Sequence, residues 1–348
     1  MHAGTTQSML DVLATGIHVT EITLGFISLQ NLLDGLTVGM VYVLLAAGLS
    51  VIFGVMHVIN FAHGELYALG AYFAVAIVAP LGGGVGFYVA LIVAPLLVGV
   101  VGVVIERYTV QPLYGRNPLY HILLTFGLVL VINDLIFLIW GPSPRRIARP
   151  EHLTGTFELL GASFSRYAFF VIIFGGVLAF AVWALLKYTR YGLIIRAGAQ
   201  DRRMVQNLGI PIDRYYSLVF GMGAALAAVA GLIFTAGRGQ VVPEIGFEII
   251  IAAFVIVVLG GLGSFKGAVV GGLGVGILQA SIIEPNFPQL EGLVIFILMI
   301  AVLLLRPRGL FGVEFEEGGE IHRKRDEHQI ERHPQRSDAK VDERARTE

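Results

Sequence analysis

Residues 35–64 and 66–105 contain no Asp, Glu, Lys or Arg, and a single carboxylate, Glu65, separates them. A soluble domain cannot leave seventy consecutive positions almost uncharged. A helix needs roughly 20 apolar residues to cross the hydrocarbon of a bilayer, and these stretches hold several such lengths. The whole chain has 24 basic and 25 acidic residues, but ten and eleven of them lie from Arg306 onward, leaving fourteen of each in the first 305 positions. That is too little charge to coat a globule, and the mean hydropathy of +0.78 agrees. The fold class is therefore all-α: a polytopic helical membrane protein with eight or nine transmembrane or re-entrant helices, some broken by Gly or Pro.

The expected spans begin with residues 36–56. The run 66–105 splits at Pro80-Leu81-Gly82-Gly83-Gly84 into a second span ending near Ala79 and a third from about Phe87. Residues 106–118 read as a polar loop, and the fourth span follows over 119–140. The fifth covers about 167–186 and the sixth about 216–236. Residues 249–265 and 267–283, each about 17 long and joined by Gly-Gly-Leu-Gly-Ser-Phe-Lys-Gly, read as short or re-entrant. Residues 292–305 form the last run. With the C-terminus inside, nine crossings put the N-terminus outside; one re-entrant run changes this to eight and moves it inside. Residues 1–30 read as an N-terminal extension without the basic start of a signal peptide, with an interfacial helix over 12–26. Residues 313–348, mixed in charge and rich in Gln, Ser and Pro, read as a disordered cytoplasmic tail.

Between the fifth and sixth spans, residues 187–215 carry six basic and two acidic side chains, an excess that marks a cytoplasmic loop. Residues 197–208 predict a short helix stopped by Gly209 and Pro211, with Met204, Val205 and Leu208 on a small apolar face and Arg202, Arg203 and Gln206 polar. Arg145, Arg146 and Arg149 fall outside by parity, against the positive-inside bias. Arg238, Glu244 and Glu248 fall on the outer rim, as partner contacts or as a solvated edge.

Polar groups at membrane depth are costly and face the bundle interior, a cavity or one another. The sharpest cluster is Asn60-Phe61-Ala62-His63-Gly64-Glu65. It reads either as a segment lining or gating a solute path or as a capped helix junction, with Glu65 near the positive end of the second span. Asn133, late in the fourth span beside Asp134, is a further candidate for the path or for a bond between helices. No metal-ligand spacing, cysteine, nucleophile elbow or zinc-protease motif is present, so no cofactor, metal or catalytic residue is expected. Residues 261–267, GLGSFKG, have Phe265 where a phosphate loop needs Gly before Lys. Net charge near zero gives no sign of nucleic-acid binding.

Three stretches resemble the permease subunits of prokaryotic ATP-binding cassette importers for branched-chain amino acids, of the LivH and LivM kind. They are the Asn60 to Glu65 motif; Arg196-Ala197-x-Ala199-x-Asp201-x-x-Met204-x-x-x-Leu208-Gly209-Ile210; and Gly260-Gly261-Leu262-Gly263-Ser264 followed by Gly267-Ala268. The likeness covers residues 31–312, although the general importer signature Glu-Ala-Ala is absent. It implies a cell-membrane permease with a cytoplasmic C-terminus that carries branched-chain or other hydrophobic amino acids. The implied partners are ATPase subunits, a second LivM-like permease or a second copy of this chain, an extracytoplasmic solute-binding protein and the lipid bilayer. It also implies that Arg196, Ala199, Asp201, Arg202, Arg203, Met204, Leu208 and Gly209 form the element coupled to the ATPase. A urea or short-amide permease, a more distant sugar permease, and a secondary transporter or channel needing no ATP are the competing readings.

Overall fold

The computed structural model describes residues 29–159, 162–306 and 309–312. The interfacial helix and most of the N-terminal extension, like the charged tail, lie outside the described residues. The chain folds into helices α1 (Leu29–Met56), α2 (His63–Leu81), α3 (Val85–Ile105), α4 (Pro118–Trp140), α5 (Arg166–Tyr188), α6 (Arg190–Gln200), α7 (Arg202–Asn207), α8 (Ile212–Arg238), α9 (Ile245–Gly260), α10 (Phe265–Ile277) and α11 (Glu291–Leu305). Seven helical segments among the described residues are long and apolar enough to cross a membrane, and α9 and α11 are shorter. The chain is thus a polytopic helical membrane protein.

Residues 106–113 are not a loop. The α3 helix runs on through a π-helical stretch, Glu106–Val110, and a 3₁₀ turn, Gln111–Leu113; α10 continues likewise through the π-helical Leu278–Ile283. Between α9 and α10 the break is narrower than the sequence pattern implied, only residues 261–264, with the Ser264 side chain accepting from Gly267 N at 3.1 Å to start α10.

Helices α1 and α8 form the centre, burying 83% and 78% of their spanning stretches, against 22% for α4 and 17% for α5 at the edge. In lipid there is no hydrophobic gain from helix contact, so close packing must supply the cohesion, and small residues permit it. Gly39 lies against the backbone of Leu273 on α10, and Gly260 against Gly267. A Cβ at Gly223 of α8 would fall 2.7 Å from Ile52 of α1.

Two small sheets lie at the end away from α6 and α7. Strands β1 (Arg145–Arg146) and β4 (Gln240–Val241) pair antiparallel, Arg145 opposite Val241, and β2 (Thr156–Leu159) pairs with β3 (Ala162–Ser165) as a hairpin. Two of the three arginines of residues 145–149 are engaged here. Arg145 Nε donates to Trp140 O at 2.9 Å, satisfying the C-terminus of α4, and Arg149 lies 5.1 Å over the Tyr167 ring. One serves the end of a helix and the other a ring, contacts that a count of loop charges does not detect.

Candidate functional site

The Asn60 to Glu65 motif is a helix junction held inside the protein. His57 has a φ of 56°, the one left-handed non-glycine among the described residues. The chain then passes through Val58, Asn60 and Ala62, all essentially unexposed, before α2 starts at His63. Irregular backbone is tolerated at membrane depth only where protein surrounds it, and here it does. His63 Nε2 donates to Leu45 O at 3.1 Å. Glu65 falls in the first turn of α2 and packs on Gly246, in the first turn of α9, where a Cβ would come within 2.7 Å of its carboxyl. Two positive helix ends therefore converge on one buried carboxyl group. Asn133 faces the same carboxyl, while its amide donates to Pro243 O at 3.3 Å. Glu65 and Asn133 thus meet around the starts of α2 and α9, while His63 turns to α1. None of the four predicted path residues lines any of the five principal cavities.

At one end of the bundle the expected single helix over 197–208 is two. Asp201, extended at φ −148°, ends α6, and its carboxylate accepts from Met204 N at 2.9 Å to cap α7. A short carboxylate competes for backbone N–H groups, so Asp breaks a helix interior and starts the next one. Gly209, at φ 79°, closes α7 as expected, with Ile210 N donating to Val205 O at 3.3 Å.

The faces also differ from the sequence pattern. Val205 is buried, whereas Met204 and Leu208 stand 60% and 70% exposed beside exposed Arg203. Arg196 turns back to the Leu186 carbonyl at the end of α5, and Ala199 is half-buried. Arg202 points inward: it pairs with Asp213 on α8 at 2.7 Å and lies 4.8 and 5.7 Å over the rings of Tyr114 and Tyr216.

Beneath Arg202 sits a group that the sequence did not reveal. Glu106 is fully buried and accepts from Tyr114 Oη at 2.5 Å and from Ser217 Oγ. Burial and the Glu106 carboxyl push the Tyr114 phenol well above its ordinary range, so it stays a donor. Tyr216 Oη closes the assembly on Gly198 O at 2.8 Å. The network ties α7 and α6 to both α3 and α8.

At the other end, α1, α8, α9, the π-helical turn after α10 and α11 line an open cavity of about 430 Å³. Its polar side chains are Tyr42, Arg238, Gln240, Glu248 and Gln279, and Phe234, Val242, Ile245, Ile249, Ala252 and Ile295 supply an apolar wall. Tyr42 Oη donates to Gln279 Oε1 at 2.7 Å. The sequence reading put Arg238 and Glu248 on the rim, and it missed Tyr42 and Gln279, which lie in apolar runs with nothing to mark them.

A glycine-packed bundle of bilayer-length helices, with a polar chamber at one end and a short helix pair wired to its core at the other, defines a membrane permease. The family model described as branched-chain amino acid transport system / permease component matches residues 31–303, and the chain belongs to that family. It is 34% identical over 297 residues to the high-affinity branched-chain amino acid transport system permease protein BraD of Pseudomonas aeruginosa, covering 82% of this chain and 95% of that one. Over 300 residues it is 34% identical to LivH of Escherichia coli, with the same coverage. With LivM of Escherichia coli the identity is 26% over 324 residues, 84% of this chain and 72% of that one. A chain from the structure of PsaBC from Streptococcus pneumoniae in complex with Fab superposes with a TM-score of 0.45 at 14% identity, covering 82% of this chain and 94% of that one.

Proposed function

We propose that this chain is the membrane-spanning permease subunit of an ATP-driven importer for branched-chain or similar hydrophobic amino acids in a prokaryotic cell membrane. ATP hydrolysis belongs to partner ATPase subunits. A second, LivM-like permease or a second copy completes the path, and an extracytoplasmic binding protein delivers the solute. The end bearing α6 and α7, with the C-terminus, faces the cytoplasm.

The observation that carries this reading is the division of labour on α7. One side is fastened by Val205, Arg202 and the Asp201 cap, while Met204 on this helix of six residues and Leu208 just after it are 60% and 70% exposed. A helix that short does not hold itself together; it is held by the bundle while presenting apolar side chains outward. Arg203, Met204, Leu208 and Gly209 supply the contact with the ATPase in this reading, and Arg196, Ala199, Asp201 and Arg202 hold the element to the bundle. Asn60, His63, Glu65 and Asn133 act as the gate, behind the α9 wall of the chamber. The aliphatic chamber wall favours an amino acid with an apolar side chain over urea or a short amide.

The test is a mild-detergent pull-down of the tagged chain from its own membranes, repeated with Leu208→Asp. Recovery of an ATPase and a second permease with the wild type, and loss of the ATPase with the variant, is the expected result. Recovery of this chain alone, with uptake persisting in ATP-depleted vesicles, refutes the proposal in favour of a secondary transporter.

A further inference from the structure

We infer that the chamber between α8 and α9 is a zwitterion clamp in which Arg238 takes the carboxylate and Glu248 the ammonium of a free amino acid. This rests on the permease reading above and adds to it the residues that recognise the solute.

The two charges are placed by the two helices that the segment 239–244 joins. Arg238 is the last residue of α8, where a cation is favoured by the negative helix end, and Glu248 lies in the first turn of α9, where an anion is favoured by the positive one. Among the described residues neither joins an ion pair, and the pair Arg202–Asp213 stands at the opposite end. Both side chains line the same cavity. The Arg238 guanidinium lies 4.6 Å over the Phe234 ring, which orients the planar fork through cation–π attraction.

An arginine fork is matched to a carboxylate by two parallel N–H···O bonds. A Glu carboxylate accepts from an ammonium group but offers nothing to a carboxylate. A neutral solute would leave both charges without a counterpart, and a solute bearing a single charge would leave one; a zwitterion answers both. The remaining wall has the right chemistry for an aliphatic side chain, through Ile245, Ile249 and Ala252. The cavity's size, about 430 Å³, falls in the range of small-molecule sites, roughly 300–1,000 Å³. The Tyr42–Gln279 hydrogen bond supplies its polar lining from α1 and the π-helical turn after α10.

The experiment uses the full chain assembled with its second permease and ATPases, and reads binding of tritiated leucine in lipid nanodiscs without the binding protein and uptake in sealed proteoliposomes with it. Arg238→Gln and Glu248→Gln should each weaken binding tenfold or more, whereas Glu158→Gln, at an exposed position of β2, should leave it unchanged. Leucine should compete, and isoamylamine and 4-methylpentanoate, which each lack one of its charges, should not. Co-purification with the partner subunits verifies that each variant is folded. Absence of saturable binding by the wild type, or wild-type binding and uptake in both charge variants, overturns the clamp while leaving ATP-driven uptake intact. Leucine binding with the predicted variant losses, together with uptake that proceeds without ATP, instead sinks the permease reading and leaves the clamp standing.

Discussion

Replacing Arg202 with Ala separates two roles that the sequence pattern alone runs together, contact with an ATPase and anchorage of α7. The structure assigns Arg202 to anchorage. Its ion pair with Asp213 joins side chains that are 31% and 39% exposed, so solvent screening limits it to about 0.2–1 kcal/mol. The cation–π contacts with Tyr114 and Tyr216, at 4.8 and 5.7 Å, add about 0.5–1 kcal/mol each at partly exposed sites. Together these give about 1–3 kcal/mol, or roughly a fivefold to hundredfold rise in the population with α7 detached. Hydrogen exchange reads that population directly. In the assembled transporter, amides of residues 203–208 should exchange faster by that factor, with α8 beyond Ser217 unchanged. Asp213→Asn should produce part of the effect, and the double variant less than the sum of the two. Wild-type exchange in Arg202→Ala, combined with loss of the ATPase from the complex, would refute the anchoring argument and return Arg202 to the partner surface.

Three further outcomes follow from the packing. Gly246→Ala places a methyl group 2.7 Å from the Glu65 carboxyl; overpacking costs about 1–3 kcal/mol, read as a lower melting temperature of the solubilised complex. Part of that loss should return in Gly246→Ala combined with Glu65→Ala, and an equal drop in both would count against the contact. Glu106→Gln keeps one acceptor oxygen for two hydroxyl donors, so about 1–3 kcal/mol is lost, and Tyr114→Phe in the same background should add little. Gly39→Leu drives a side chain into the backbone of Leu273, 3.1 Å from its Cβ position, and should abolish the monodisperse gel-filtration peak of the expressed chain.

The helices were legible because lipid imposes a severe rule: spans must be uncharged, and charge marks their ends. That rule also explains the misreading at Glu106, where a carboxylate was taken to end a span, although Tyr114, eight residues on, and Ser217, distant in sequence, satisfy it inside one. The stop at Gly209 was legible because a left-handed residue is needed there. The break at Asp201 was not, since Asp is tolerated in a helix and becomes a breaker only when its side chain finds the Met204 N–H. Asn60, His63 and Glu65 were visible as polar residues in apolar surroundings, but the partners of His63 and Glu65, namely Leu45, Gly246 and Asn133, come from three other helices. The chamber was least visible. Tyr42 and Gln279 carry no local signal, and Arg238 and Glu248 look like rim charges until α8 and α9 turn them into one cavity.

Helix α8 joins the two sites. Asp213 in its first turn holds Arg202 of α7, and Arg238 at its other end faces the chamber, 25 residues later, about 38 Å at 1.5 Å per residue. A rigid helix carries a displacement over that distance only if its neighbours let it slide, and interlocked large side chains resist sliding. At two points along α8 small residues meet instead: Gly221 lies against Gly99 of α3 and Gly223 against Gly48 of α1. Such surfaces suit shear between packed helices. Gly221→Ala is the sharp test, because its Cβ would meet the end of the Val103 side chain at 2.7 Å and the Gly99 carbonyl at 3.0 Å, tight contacts that a partly flexible neighbour can absorb in one position. The variant should insert and assemble with its partners, yet transport fewer solute molecules per ATP hydrolysed in proteoliposomes. Wild-type stoichiometry in an assembled Gly221→Ala complex would show that α8 does not slide against α3, and that the signal from α7 reaches the chamber by another route.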